Sequence, residues 1–128
     1  MTNRLGVADG FTRVISLRQL WIAHWLFILL VTLAPVSGAV PSVVSHGDKV
    51  AHFVLFAVLA LLGGRVLWGR GGPMPAAGLV KWAVLYAVFG AAIEWLQPFF
   101  GRTCSLADWL ADVAGVTVVS LWQSRKRG

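Results

Sequence analysis

Acidic side chains are scarce in this chain: five Asp and Glu among 128 residues, in a sequence that is only 12% charged. Soluble domains carry about a quarter charged residues. With 58% hydrophobic residues and a mean hydropathy of +0.76, a small soluble domain could not hide the apolar surface. These values predict an integral membrane protein of a single domain. Cysteine is nearly absent too. Cys104 alone excludes an internal disulfide and any Cys-based metal cluster. It reads as a small residue at a helix start; a reactive thiol, which needs an electropositive setting, is the alternative that nearby Arg102 keeps open. No A-x-A-like site ends the first apolar run before Pro35 and Pro41, so that run reads as a retained helix and not a cleaved signal. Repeats and low-complexity segments are missing, as are G-x-S-x-G, H-E-x-x-H and P-loop patterns.

What the chain does have is four apolar runs separated by breakers. The expected architecture is all-α, a four-transmembrane-helix bundle. Its helices are expected over about 20–36, 48–68, 79–99 and 105–122, the first being short for a span of roughly 17–25 residues. Gly69 to Pro75 marks the second break, and Pro98 should end or kink the third helix. A cytoplasmic leader (1–18), a membrane domain (19–123) and a basic tail (124–128) complete the division. Nine of the eleven Lys and Arg residues fall on one side: Arg4, Arg13, Arg18, Arg65, Arg70, Lys81 and Arg125 to Arg127. Only Lys49 and Arg102 fall on the other, so both termini are expected in the cytoplasm. Trp21, Trp68, Trp82 and Trp122 then lie near the cytoplasmic interface. Because the basic residues sit at run edges, the formal charge of +6 reads as topology and lipid contact, with no role for nucleic acid.

The few acids are not scattered. Glu94, Asp108 and Asp112 lie within nineteen positions, and Asp48 belongs to a second polar island with Lys49 and His52. An ionisable group at the centre of a membrane helix costs at least roughly 2.5–3.5 kcal/mol, so it needs a partner or a task. At 1.5 Å per residue, His52 lies about 6 Å, Glu94 about 9 Å and Asp112 roughly 10 Å below the outer helix ends. Helical spacing puts Ala83, Ala87, Gly90, Ala91, Glu94 and Gln97 on one face, and Ser105, Asp108, Asp112 and Gly115 on another. Turned inward, these faces and the Asp48/His52 pair form one polar wall, leaving Leu, Val, Phe and Trp for lipid. The plainer reading is that the acids pair with Arg102, Lys49 or His52 and lock the helices together. His24, one turn inside the first helix, is expected to face a neighbour or the interface.

The motifs Asp48-Lys49-x-x-His52-Phe53, Glu94-x-x-Gln97 and Arg102-x-x-Ser105-x-x-Asp108, with Gly115 downstream, resemble those of the VanZ-like family of small bacterial membrane proteins. The resemblance covers about 45–116 and implies a multi-pass protein of the bacterial plasma (inner) membrane with a cell-envelope role connected with teicoplanin resistance, a form of glycopeptide-antibiotic resistance. It carries the family's polar signature onto Asp48, Lys49, His52, Glu94, Gln97, Arg102, Ser105 and Asp108. Asp112 departs from it, since Asn is expected there. Three functions compete. The first is a non-enzymatic envelope protein that binds a lipid-linked cell-wall precursor or a glycopeptide, Lys49 and Arg102 meeting its anionic groups. The second is a membrane-embedded hydrolase or transferase, with His52, Glu94 and Asp108 as catalytic candidates. The third is a small proton-coupled transporter, weakened by the lack of polar residues in the inner halves of the later helices. Ser105 reads as a helix cap before a nucleophile. One His with carboxylates is a loose signal for any particular ion, so no metal or cofactor is expected. The sequence is compatible with a homo-oligomer.

Overall fold

The computed structural model describes residues 15–35, 42–69, 72 and 74–127. Arg4, Arg13, Arg70 and the rest of the leader before Ile15 lie outside the described residues. Among the described residues there are four α-helices, α1 (Leu17–Leu33), α2 (Ser42–Trp68), α3 (Ala76–Leu96) and α4 (Leu106–Arg127), with a 3-10 turn over Gln97–Phe100. No strand occurs among the described residues.

The helix ends follow local chemistry, and this is where they depart from the expected boundaries. α1 starts earlier because Ser16 caps it: the Gln19 N–H donates to Ser16 Oγ, while the Gln19 side chain accepts from the Ser16 N–H. It ends at Leu33 because Pro35 disfavours helical geometry at Ala34, which is extended at φ −59, ψ 130. α2 extends further toward its N-terminus than expected, to 27 residues or about 40 Å. α3 gives way to 3-10 geometry at Gln97, next to Pro98, which has no N–H to donate. Gly101 closes that turn at φ 75, a left-handed conformation that costs glycine little.

The bundle runs up and down. The C-terminal end of α1, the N-terminal end of α2, the C-terminal end of α3 and the N-terminal end of α4 meet at one end, where Gln97 Nε2 donates to the Thr32 carbonyl (3.2 Å) and Arg102 Nη1 to that of Ala34 (3.1 Å). The start of α1, the α2–α3 connection and the end of α4 share the opposite end. α2 and α4 are therefore parallel, and theirs is the most extensive helix–helix contact in the bundle. Glycine makes that approach feasible: a Cβ at Gly115 would collide with the Phe53 carbonyl oxygen and lie 3.1 Å from the Ala57 nitrogen. Along the interface the pairing keeps a nearly constant offset, from His52 against Asp112 to Leu61 against Gln123, whose Nε2 donates to the Leu61 carbonyl.

The core consists of Ile28, Phe56, Leu59, Ala60, Tyr86, Ile93 and Val116. Trp21, Trp25 and Trp82 pack against it, with Trp21 and Trp82 edge to face at 5.4 Å between centroids. The tryptophans are thus not left for lipid as a class; those near the start of α1 and α3 join helices, as aromatic pairs contribute about 0.5–1.5 kcal/mol beyond burial. Trp95 and Trp122 do face outward. Ala91 is likewise exposed, off the inward face on which it was expected, whereas Gly90, Glu94 and Gln97 are buried. Two helical stretches, His46–Trp68 and Ala76–Phe100, are long and apolar enough to cross a membrane. α1 is shorter, and α4 is diluted by Asp108, Asp112 and its basic end.

Two glycines separate packing from propensity. Gly115→Ala is expected to destabilise the bundle by about 1–3 kcal/mol through overpacking against α2. Gly47→Ala, in α2 with nothing within 4 Å of the new Cβ, is expected to stabilise it by roughly 0.5–1 kcal/mol. Thermal unfolding of the two variants in detergent should shift in opposite directions.

Candidate functional site

Two helical pairs, each one turn apart, build the site: Asp48 and His52 on α2, Asp108 and Asp112 on α4. Because the helices are parallel and in register, the pairs stack into an outer and a deeper layer. α3 adds Glu94 to the deeper one.

In the deeper layer His52 Nδ1 lies 2.8 Å from Asp112 Oδ1 and 3.9 Å from Glu94 Oε1. With Asp112 as carboxylate, Nδ1–H donates and the aspartate accepts. All three residues are closed off from solvent, with His52 1%, Glu94 4% and Asp112 0% exposed. Glu94 is held by its second oxygen, Oε2, which accepts the Ser105 backbone N–H at 2.8 Å. A carboxylate is well placed there, at the N-terminal start of α4. Asp112 is accommodated by Gly90, where a Cβ would stand 2.8 Å from Oδ2.

The outer layer consists of charge pairs. Lys49 Nζ lies 3.8 Å from Asp108 Oδ1, and Arg102 Nη2 donates to Asp48 Oδ1 at 3.4 Å. Asp108 is buried, while the Lys49 and Asp48 side chains are 39% and 35% exposed, so this layer is the rim. The deeper groups leave polar atoms without hydrogen-bond partners among the described residues: His52 Nε2, Glu94 Oε1 and Asp112 Oδ2, with Asp108 Oδ1 above them. An unsatisfied buried group costs about 1–3 kcal/mol, and more when charged. Such a concentration calls for an explanation in function. Below the layer the core turns apolar with Phe56, Leu59, Ala60 and Val116, and the next buried polar side chain on α4 is Gln123.

Of the residues singled out in the sequence, Asp48, Lys49, His52, Glu94, Arg102, Asp108 and Asp112 converge. Two side chains do not belong to the cluster. Gln97 is buried but turned to α1, donating to the Thr32 carbonyl. Ser105 caps α4, its Oγ accepting the Asp108 N–H at 3.3 Å. The carboxylate closest to His52 is Asp112, not Glu94 or Asp108. Sequence spacing missed the supporting contacts, such as Trp109 Nε1 donating to the Ala87 carbonyl at 2.9 Å, because the acceptors are backbone atoms that leave no trace in residue type. His24 Nε2 likewise meets the Leu55 carbonyl at 2.8 Å and joins α1 to α2. No family model matches the chain, and neither a curated protein nor a solved structure does.

The His52–Asp112 contact can be tested through stability. Asp112→Ala strips His52 Nδ1 of its acceptor in a dry site and is expected to cost about 1–3 kcal/mol. Asp112→Asn keeps an acceptor oxygen and should cost less. An unchanged melt in Asp112→Ala would mean that the contact contributes nothing.

Proposed function

We propose that the chain is a four-span membrane protein of the VanZ-like kind, with both termini in the cytoplasm, whose polar cluster receives the charged end of a lipid-linked or cell-surface ligand from the extracytoplasmic side. The observation that carries this reading is the convergence of His52, Glu94 and Asp112 from three helices beneath a rim of Lys49, Arg102, Asp48 and Asp108. Charged groups in a membrane interior are costly, and their gathering near one mouth is economical only if that mouth has a task.

The membrane setting rests on what each helix presents outward. Ile22, Leu26 and Leu30 on α1, Val50 and Val54 on α2, Val80, Val84 and Val88 on α3, and Leu110 and Val118 on α4 are all exposed. Water-soluble monomers rarely expose apolar surface so continuously. The described basic residues outside the site, Arg18, Arg65, Lys81, Arg125, Lys126 and Arg127, belong to the end opposite it, which the positive-inside rule assigns to the cytoplasm. At the rim each cation already stands beside an acid, so a phosphate or carboxylate of the ligand would exchange partners with Asp48 or Asp108. Guanidinium contacts with such groups are strong and directional.

A second reading draws on one specific contact. His52 is oriented by Asp112 through Nδ1, leaving Nε2 without a partner among the described residues. That is how a carboxylate prepares an imidazole for general-base work. In this reading the protein is a hydrolase or transferase on the same ligand class.

Topology is checked with the chain's own Cys104, which is exposed on the site side of the bundle. A membrane-impermeant maleimide should label it in intact cells, and should fail to label Ser124→Cys in a Cys104→Ser background. The reverse pattern would invert the assignment. For the ligand, we expect expression of the chain to change teicoplanin susceptibility and Arg102→Ala at unchanged protein level to abolish that change, since losing a charge-assisted hydrogen bond costs about 1.5–3 kcal/mol, or roughly 10–150-fold in affinity. An unaltered phenotype would sink the binding reading. Turnover of a short-chain polyprenyl phosphate by purified protein, lost in His52→Ala, would favour the enzyme.

A further inference from the structure

We infer that His52, Glu94 and Asp112 bind one divalent first-row metal ion of the Zn2+ or Mn2+ type. The inference deepens the reading of this cluster as a functional centre and rests on it.

Charge is the first argument. At the rim, the acids Asp48 and Asp108 face the cations Arg102 and Lys49, which balances that layer. The deeper layer holds two carboxylates and one imidazole, and its side chains are 0–5% exposed. Even a charged imidazolium would leave one negative charge over. Buried charges are paired, neutralised or bound to metals. Two carboxylates and a neutral imidazole carry the charge that matches a divalent cation.

Geometry is the second. One ligand atom from each residue lies within 4.8 Å of the others. His52 meets both carboxylates with the same nitrogen, at 2.8 and 3.9 Å. An ion bonded at roughly 2.0–2.2 Å holds neighbouring donors about 3–3.6 Å apart, a spacing that these two distances bracket. The proton that His52 Nδ1 shares with Asp112 occupies the place an ion would take.

The third argument is independent of the cluster's composition. Glu94 Oε1 and Asp112 Oδ2 are fully buried and lack hydrogen-bond partners among the described residues, while Glu94 Oε2 is fixed by the Ser105 N–H. A carboxylate held through one oxygen, with the other left over beside a histidine, is how ligating carboxylates are oriented. The imidazole suits Zn2+ and the two carboxylates also suit Mn2+, whereas Mg2+ and Ca2+ are held by oxygen ligands.

A neighbouring triad, Asp48, His52 and Asp108, also lies within ligand reach. It shares His52, is partly open at Asp48, and both its carboxylates already face a cation, so the deeper triad is the better site.

The experiment uses the full chain, purified in detergent, stripped with chelator and titrated with Zn2+, with Co2+ absorption as spectroscopic reporter. Wild type should take up about one equivalent per chain and melt at higher temperature with the ion, because binding to the folded state stabilises it. Glu94→Gln and Asp112→Asn preserve shape, and each should weaken binding by more than the roughly 10–100-fold that loss of an outer-shell partner costs. Helical circular dichroism of the metal-free variants confirms that they fold. Absence of ion uptake and of a thermal shift in wild type would overturn the inference. So would loss of binding in Asp108→Asn with retention in Asp112→Asn, which assigns the ion to the outer triad. Either result leaves the proposed ligand role standing if Arg102→Ala still removes the susceptibility phenotype.

Discussion

The close parallel contact between α2 and α4 is the constraint on which the rest of the structure depends. Gly115 lets the backbone of one helix approach the backbone of the other at Phe53 and Ala57. Once the helices touch there, the residues one turn toward the site have no freedom of partner: His52 must face Asp112. A larger residue at 115 would move the helices apart, and a 2.8 Å contact would not survive even a small displacement. Helix packing and site chemistry are therefore one geometric fact at two depths.

The two polar layers answer different physical problems. The rim is partly wet, and ion pairs of that kind contribute about 0–1 kcal/mol, so Lys49–Asp108 and Arg102–Asp48 add little to stability. What they do is hold four side chains together above the deeper layer. The deeper layer is dry, and there the penalty for an uncompensated charge amounts to several kcal/mol per ion. Its companions, the Ser105 N–H on Glu94 and the imidazole on Asp112, reduce that penalty without removing it. A chain with so few acids places two of them where they are hardest to keep.

Much of this could be read from residue order. Breakers and apolar runs marked four helices, and a turn-by-turn count placed Asp48 with His52 and Asp108 with Asp112. Ser105 was legible as a cap because capping is local. What could not be read was which carboxylate meets His52, because that depends on the register between helices sixty residues apart. The same holds for Gln97, whose spacing from Glu94 is right for the cluster but whose backbone has turned into the 3-10 segment and points it at α1. Ala91 failed for a simpler reason: it lies about 100° around the helix from Gly90, at the edge of the face that buries Tyr86, Gly90, Ile93 and Glu94.

Besides the ion pairs of the charged cluster, the helices and their connections are joined by one recurring hydrogen-bond arrangement. His24 reaches the Leu55 carbonyl, Gln97 that of Thr32, Arg102 that of Ala34, Trp109 that of Ala87, and Gln123 that of Leu61. In each the donor is a side chain and the acceptor is main chain. Every residue type supplies the same carbonyl, so Thr32, Ala34, Leu55, Leu61 and Ala87 can drift without breaking the bond, whereas the five donors cannot. Contacts of this kind leave no paired substitutions behind, and co-variation between columns would be blind to them. The tertiary structure of this bundle is thus written in single, unaccompanied polar residues.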